Sequence, residues 1–254
     1  MTSTCPSPVR VVDGTAVLEV GNGLRRNALD TAGWVALRTT AEQLACHDLQ
    51  ALVVRGCGGT FCAGSDLRKW DGADGATVDA GFAAMEAALR AVEAVPVPTL
   101  AVVEGSATGA GCLLALACDT QLVARSARVG MPVARLGILL SPAFATRLSL
   151  RVGPTQAKEL LYGGRILAAA EAAATGLVGR VVDDAVLEAE LAALLERWRA
   201  QPASALRAAK VAVDTGLAPI IAAAGQVPPG PSSDRAEMAR RVRDFLAGGR
   251  TRRA

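Results

Sequence analysis

Two stretches of the chain share one design, in which a short apolar run leads into a loop of small residues that opens a helix. The first loop covers residues 58–67 (GGTFCAGSDL) and follows the apolar run 51–55. The second covers residues 104–112 (EGSATGAGC) and follows the run 100–103. Apolar runs this short, bounded by glycine, are typical of strands buried on both faces. Buried strands that each feed a helix predict an α/β fold.

Loops of this kind can also bind a ligand. Small residues let the ligand approach the backbone, and the N–H groups at a helix start are free donors. Two such donors converging on one oxygen would form an oxyanion hole. The glycine spacing alone fits that function and a purely structural pair of tight turns equally well. Neither loop contains the Gly-Lys-Ser/Thr or the spaced triple glycine of nucleotide-binding loops.

The pattern around these loops alternates strands and helices. Residues 9–12 and 16–20, joined by Asp-Gly, predict a hairpin. Asp30 predicts the N-cap of the helix that follows. Apolar side chains at steps of three and four predict an amphipathic helix with Glu86 on its solvent face. The apolar positions of that helix are Phe82, Met85, Leu89 and Val92.

The C-terminal part of the chain is predicted to be helical. Ser141 before Pro142 predicts a helix N-cap. A proline-rich linker over residues 226–233 separates the last helix from the others. The clearest helical segments are 187–200, 203–213 and about 234–246. We therefore predict an α/β core over residues 1–195 and a C-terminal helical region over residues 196–254.

Composition argues against several classes of function. The net charge of +3 comes from scattered basic residues, and aromatic residues make up 3% of the chain, so no nucleic acid partner is expected. The six cysteines include no CxxC pair and the single histidine is His47, so neither a metal site nor a disulfide framework is expected. The first eight residues lack the plan of a signal peptide, and Glu104 and Asp119 interrupt the longest apolar stretches. We expect a cytoplasmic protein without a membrane span.

Six segments of the chain carry the motifs of a known protein family in its order and spacing. Residues 61–67 (FCAGSDL) match an F-x-A-G-x-D-L pattern, and residues 105–111 (GSATGAG) with Cys118 and Asp119 match G-x-A-x-G-[GA]-G…C-D. The remaining segments are 24–29 (LRRNAL), 136–138 (LGI), 176–178 (GLV) and Lys210. With these motifs the chain resembles the enoyl-CoA hydratase/isomerase (crotonase) superfamily.

The resemblance implies a crotonase fold, which is a spiral of ββα units with a C-terminal helical region that packs in trimers or dimers of trimers. It also implies an acyl-CoA or acyl-carrier thioester as the substrate. No cofactor is implied beyond the coenzyme A or pantetheine part of that substrate.

The resemblance assigns roles to particular residues. The thioester oxygen would accept hydrogen bonds from the backbone N–H groups of Ala63 and Ala110. Arg25 and Arg26 lie where the family often places basic residues near the phosphates of coenzyme A, although solvated surface arginines are the alternative. The strip that would hold adenine and the pantetheine arm is Ala63, Gly64, Ser65, Asp66 and Leu67.

The chain departs from the family at the positions that carry protons. The hydratases use two glutamates, and the corresponding positions here are Leu113 and Val133. Some isomerases use an acidic residue four positions after the L-G pair, which is Ser141 here, where an N-cap role is the alternative. Neither leucine nor valine can hold a proton, and a serine hydroxyl is too weak an acid to be an ordinary base. Arg135 follows the second glutamate position and could hold a substrate carboxylate.

Two functions therefore stay open. In the first, the chain is an atypical lyase, decarboxylase or isomerase that works by stabilising an enolate, since loss of carbon dioxide requires no base. In the second, the chain is a catalytically silent binding or accessory subunit that keeps the thioester cradle.

Overall fold

The N-terminal hairpin begins a mixed sheet that runs through the first two thirds of the chain. The computed structural model describes residues 8–226 and 233–251. Its strands are β1 (Val9–Val12), β2 (Thr15–Val20), β3 (Ala51–Gly56), β4 (Thr99–Val103), β5 (Ser106–Thr108), β6 (Thr120–Ala124), β7 (Arg128–Gly130), β8 (Ile166–Ala168) and β9 (Arg180–Val182).

These strands form two sheets within the described ranges. The larger has the order β1-β2-β3-β4-β6-β9, in which only the β1–β2 hairpin is antiparallel. The smaller has the order β5-β7-β8, with β5 and β7 parallel and β7 and β8 antiparallel. The second small-residue loop contains the strand β5, which the sequence pattern did not predict. The hairpin and the α/β class are confirmed.

Helices connect the strands and cover the sheets. Their bounds are α1 (Thr31–Ala45), α2 (Gly75–Glu93), α3 (Ala110–Ala117), α4 (Pro142–Gly163), α5 (Ala169–Ala174), α6 (Leu187–Arg199), α7 (Ala203–Gln226) and α8 (Arg235–Thr251). The predicted cap of α1 is confirmed, because the Asp30 side chain accepts a hydrogen bond from Gly33 N at 2.9 Å. Gly153, with φ 75° and ψ 161°, kinks α4 just before Pro154.

The inner strands β3 and β4 are buried on both faces, as their sequence predicts, whereas the edge strand β1 is exposed. On β3, Leu52 and Val54 belong to the main core together with α1, α2 and α3, whereas Val53 faces a second cluster that α6 covers. All eight residues of α3 are buried. The two small-residue loops therefore start from rigid, fully packed strands.

The C-terminal region is helical, and its predicted division from the core stays a prediction. The boundary expected between residues 195 and 196 lies inside α6, whose Leu187 and Leu191 pack against the larger sheet. Helix α8 returns to the body of the protein, where Met238 and Val242 join a third cluster with Trp70. Helices α6 and α8 therefore both pack against the body of the protein.

Helix α7 has an exposed surface with several apolar side chains. It spans 24 residues without a buried one, and Val211, Val213, Ile220 and Ile221 are exposed. By length and composition alone it is the one helix in the described ranges that could cross a bilayer. The prediction that the chain has no membrane span did not take this helix into account. Its basic side chains bind the body of the protein, where Lys210 pairs with Asp119 at 2.9 Å.

Candidate active site

The two small-residue loops lie side by side. Cys62 N donates to Ser106 O at 2.8 Å, and Thr108 N donates to Cys62 O at 3.1 Å. A side chain on Gly111 would place its Cβ 1.9 Å from the Cys62 carbonyl oxygen, so this approach requires glycine. Backbone pairing thereby brings Ala63 of the first loop and Ala110 of the second loop close together.

Ala110 presents a free backbone donor there. It is the first residue of α3, and its N–H meets no acceptor among the described residues, as expected for a helix start. The absent side chain of Gly64 keeps the adjoining space open, because a Cβ would stand 2.8 Å from Thr108 O and 3.1 Å from Ala110 N. Gly64 also has φ +93°, a conformation that disfavours a side chain.

The second expected donor is occupied in this structure. Ala63 N donates to the Arg26 carbonyl oxygen at 2.8 Å. The Arg26 peptide belongs to a turn in which Arg25, Arg26 and Asn27 have φ 52°, 56° and 56°. Non-glycine residues in this left-handed region cost about 1–2 kcal/mol each. A ligand oxygen can therefore reach the Ala63 N–H only after this strained turn moves.

Asn27 holds that turn, and sequence reasoning did not assign it a role beyond its place in the N-A-L motif. Its fully buried amide group donates to Cys57 O at 2.8 Å and to Thr60 O at 2.7 Å, while its Oδ1 accepts from Gly23 N at 2.8 Å. Satisfied buried polar groups of this kind fix one local geometry. Asn27 thus explains how three consecutive left-handed residues persist.

Cys62 has a structural role beside the same turn. Its thiol donates to Asn27 O at 3.2 Å and accepts from Gly64 N at 3.3 Å. Burial raises the pKa of this thiol to about 12, against a smaller opposing effect of the Gly64 hydrogen bond. A thiol with this pKa carries almost no thiolate at neutral pH, so it is not a nucleophile.

A cavity of about 1420 Å³ opens in front of the two loops. The part of its lining here called the thioester side is defined by residues 63 and 65–67 and by five arginines: Arg25, Arg26, Arg68, Arg128 and Arg135. Arg25 pairs with the buried Asp66 at 2.6 Å, and the other four arginines form no ion pair with a described residue. This side is positively charged and open to solvent.

The strip expected to bind coenzyme A lies on that side. Its members on the cavity wall are Ala63, Ser65, Asp66 and Leu67, and Gly64 borders the space beside Ala110. The Ser65 Oγ is buried and has no hydrogen-bond partner among the described residues. Asp66 also accepts from Arg68 N at 3.3 Å, so this carboxylate is held by two neighbours.

The apolar part of the lining is here called the acyl side. Leu113 and Val133 both lie on its wall. Carboxylates on the cavity wall within residues 8–226 and 233–251 are Asp66, which Arg25 neutralises, and the exposed Asp71. The remaining large apolar residues of this lining are Trp70, Phe82, Met85, Met131, Pro132, Leu136, Ile138, Leu140, Phe144, Ile166, Phe245 and Leu246.

The two tentative site residues have different locations. Ser141 caps α4, where its Oγ accepts from Phe144 N at 3.4 Å, and it is not among the described residues that line the cavity. The cap role is confirmed, and the geometry gives no support to a role in proton transfer. Arg135 lies on the cavity wall, exposed at its edge.

Glu86 was predicted to face water, and this was wrong. Its carboxylate binds the Arg147 guanidinium at 2.7 and 3.0 Å, and Arg147 also binds Glu93 at 2.5 and 2.9 Å. Burial opposes the charge on Arg147, but the hydrogen bonds that it donates to Glu93 and Glu86 outweigh this effect and raise the pKa of Arg147. This ion-pair network joins α2 to α4 behind the acyl side.

Comparison with known proteins gives a consistent result. A family model described as enoyl-CoA hydratase/isomerase matches residues 14–225. Human mitochondrial methylglutaconyl-CoA hydratase is 30% identical over 211 residues, which cover 80% of this chain and 62% of that protein. Bovine mitochondrial enoyl-CoA hydratase domain-containing protein 2 is 33% identical over 210 residues, which cover 80% of this chain and 71% of that protein. The chain spans about two thirds of the length of the curated relatives it matches.

Solved structures agree with that match. The enoyl-CoA hydratase of Bacillus anthracis has a TM-score of 0.78 and 26% identity, covering 97% of this chain and 95% of that one. An enoyl-CoA hydratase/carnithine racemase of Magnetospirillum magneticum has a TM-score of 0.76 and 29% identity, covering 96% and 92%. The architecture and the sequence motifs therefore indicate the same family.

Proposed function

Because the chain belongs to the enoyl-CoA hydratase/isomerase family, we propose that its cavity binds an acyl-CoA thioester and stabilises the enolate formed from it. One observation carries this proposal. The Ala110 N–H has no acceptor among the described residues and lies beside the space that Gly64 leaves empty. A preorganised backbone donor of this kind is worth about 10²–10³ in rate when it meets a developing oxyanion.

The charge of the thioester side supports the same ligand. Coenzyme A carries phosphates at the end away from the thioester, and guanidinium groups bind phosphate through paired hydrogen bonds. Arg26, Arg68 and Arg128 lie on the cavity wall without an ion-pair partner in the described ranges. Ser65 Oγ offers a further unpaired hydroxyl to the ligand. No cofactor beyond the coenzyme A or pantetheine of the substrate is proposed.

The acyl side favours a reaction that needs no carboxylate base. Leu113 and Val133 line the wall where the hydratases of the family have glutamates. In a decarboxylation, the electrons of the breaking carbon–carbon bond pass into the enolate, carbon dioxide leaves, and a water molecule supplies the proton. Arg135, exposed at the edge of the cavity, would hold the substrate carboxylate before it leaves.

A second candidate is a thioester-binding subunit without catalysis. It is favoured by the hydrogen bond from Ala63 N to Arg26 O at 2.8 Å, which leaves one donor where an oxyanion hole needs two. If the Arg26 turn never moves, the cavity would bind a thioester and stabilise its enolate poorly. The two candidates differ in what happens to the bound thioester.

Assembly and location are part of the proposal. The exposed apolar residues of α7, Val211, Val213, Ile220 and Ile221, would be covered by another copy of the chain in a cytoplasmic trimer or dimer of trimers. Light scattering at micromolar concentration should give at least three times the monomer mass. A monomer that stays soluble without detergent would contradict the assembly, and a protein that needs detergent would favour a membrane for α7.

A panel of thioesters tests the reaction. Purified protein is incubated with crotonyl-, malonyl-type and 3-oxoacyl-CoA, and each thioester is followed by mass spectrometry. Loss of carbon dioxide from a malonyl-type thioester, abolished in Gly64→Ala, is the expected result. Binding of every thioester with no product favours the silent subunit, and failure to bind any of them contradicts both candidates.

A further inference from the structure

The acyl side gathers an unusual share of the aromatic side chains. The whole sequence has three Trp, four Phe and one Tyr. Four of these rings line the cavity: Trp70, Phe82, Phe144 and Phe245. They come from four separate segments, and the last belongs to α8, which folds back over the cavity. Half of the aromatic residues of this chain therefore lie around one cavity.

Three of the rings form a row. The centroids of Trp70 and Phe82 are 5.1 Å apart, with an interplanar angle of 30°. Those of Phe82 and Phe144 are 6.4 Å apart, with an angle of 52°. Both distances fall in the range of about 4.5–7 Å in which aromatic rings attract one another beyond their area of contact. A further ring placed against this row would find the same favourable geometry.

The row is held in place before any ligand arrives. Trp70 and Phe144 are buried, while Phe82 is half-buried and faces the cavity. The Arg147 guanidinium lies 6.0 Å from the centroid of Phe144 and is itself fixed by Glu86 and Glu93. The ion-pair network therefore keeps the rings on α2 and α4 at a constant separation, so an aromatic ligand would not have to order them.

The rest of this wall suits a ring better than a polar chain. Met85, Leu113, Val133, Ile138 and Leu140 offer no hydrogen bond from their side chains. A hydroxyl or amide on the acyl group would lose its water without gaining a partner, which is unfavourable. The thioether of Met85 makes favourable contacts with aromatic rings. Both features select for a flat apolar group.

We propose that the acyl group taken by this cavity is aromatic, as in an aryl-substituted malonyl-type thioester and the arylacetyl- or arylpropanoyl-CoA that its decarboxylation would give, with the ring packed against the Trp70–Phe82–Phe144 row. The inference rests on the proposed binding of acyl-CoA thioesters and names their class. Phe82 is the specificity-determining residue, because its ring is the one in the row that faces the cavity from a half-buried position.

Calorimetric titration of three thioesters tests this inference. Acetyl-CoA reports on binding of the coenzyme A part alone. Cyclohexylacetyl-CoA and phenylacetyl-CoA have the same carbon skeleton, and the saturated ring is the more apolar of the two. Phenylacetyl-CoA should nevertheless bind about threefold to tenfold more tightly than cyclohexylacetyl-CoA, since aromatic contacts add to area burial.

Two variants locate the effect. Phe82→Leu keeps an apolar side chain but removes the ring, and it should bring the phenyl-to-cyclohexyl preference close to one. Tyr162→Leu removes an aromatic ring that is 78% exposed and is not on the cavity wall, and it should leave the preference unchanged. Thermal unfolding of both variants verifies that they fold.

The outcomes separate the aromatic inference from the proposed function on which it rests. Equal affinity for the two rings, or a preference that survives in Phe82→Leu, would overturn the aromatic inference while acetyl-CoA binding upholds the proposed function. A failure of all three thioesters to bind would overturn the proposed function and the inference with it.

Discussion

The two sides of the cavity are built on different principles. The thioester side combines exposed arginines with backbone groups from two neighbouring loops, and the pairing of Cys62 with Ser106 and Thr108 sets the geometry of those backbone groups. The acyl side is made of side chains from α2, α3, α4, α8 and the turns between them. In the proposed function, backbone donors would serve any thioester, whereas the apolar side chains would decide which acyl group enters and whether a proton can move. Binding and reaction are therefore separable in this chain.

The largest expected difference concerns the rate at which water is added to an enoyl-CoA, which depends on the acyl side. General acid–base assistance is worth about 10²–10⁴ per group, so hydration of crotonyl-CoA should be slower by several orders of magnitude than in a relative with two glutamates. The loss of enoyl absorbance measures this rate. Introducing Leu113→Glu together with Val133→Glu should raise it, since an apolar site shifts a carboxyl pKa upward toward neutrality.

The matched control for that pair is Leu113→Gln with Val133→Gln, which adds similar polar volume without a titratable proton. It should stay as slow as the parent. Ordinary family rates in the unmodified chain would mean that another residue carries the proton and that the assignment of these positions is wrong.

On the thioester side, Gly64→Ala should weaken acetyl-CoA binding by about 100-fold or more. The added methyl meets Thr108 O at 2.8 Å and stands 3.1 Å from Ala110 N. Overpacking costs about 1–3 kcal/mol and a blocked donor about as much again. Gly72→Ala is the control, because Gly72 has φ +73° and no heavy atom within 4 Å of the added Cβ. Equal affinity in the two variants would contradict the site.

On the acyl side, Arg147→Met should lower the free energy of unfolding by about 3 kcal/mol. It leaves the Glu86 and Glu93 carboxylates without their shared cation, and breaking a buried pair from one side typically costs about 3–5 kcal/mol. The lower figure applies because Glu86 keeps a hydrogen bond from Arg90 at 2.8 Å. Urea unfolding measures the change, and a loss under about 1 kcal/mol would mean that the network does not hold α2 to α4.

The smallest expected effect concerns Ser141. Ser141→Ala should lower the free energy of unfolding by about 1 kcal/mol, the usual cost of a lost N-cap. Ser141→Asp should preserve it, since aspartate caps as well as serine. If either change altered turnover of a thioester far more than stability, Ser141 would belong to the reacting groups after all.

Sequence reasoning succeeded where neighbouring residues decide the structure. The buried strands, the caps at Asp30 and Ser141, and the two helix-opening loops depend on residues within a few positions of each other. The approach of Ala63 to Ala110 was anticipated from the family motifs. Whether both of their N–H groups donate to a thioester stays a prediction.

Sequence reasoning failed where two interacting residues are distant along the chain. Glu86 lies beside the apolar stripe of α2, and its partner Arg147 comes 61 positions later, so helical periodicity could not reveal the ion pair. The aromatic row joins Trp70, Phe82 and Phe144 from three segments without a shared motif. The hydrogen bond from Ala63 N to Arg26 O depends on a left-handed turn of non-glycine residues, which composition does not indicate.

A crystal structure of the protein with a bound acyl-CoA tests the central claim most directly. The thioester carbonyl oxygen should lie about 2.7–3.1 Å from Ala110 N, with the Arg26 carbonyl displaced so that Ala63 N donates to the same oxygen. A thioester whose carbonyl oxygen is beyond hydrogen-bond distance of both amides, or whose coenzyme A lies outside this cavity, would contradict the account.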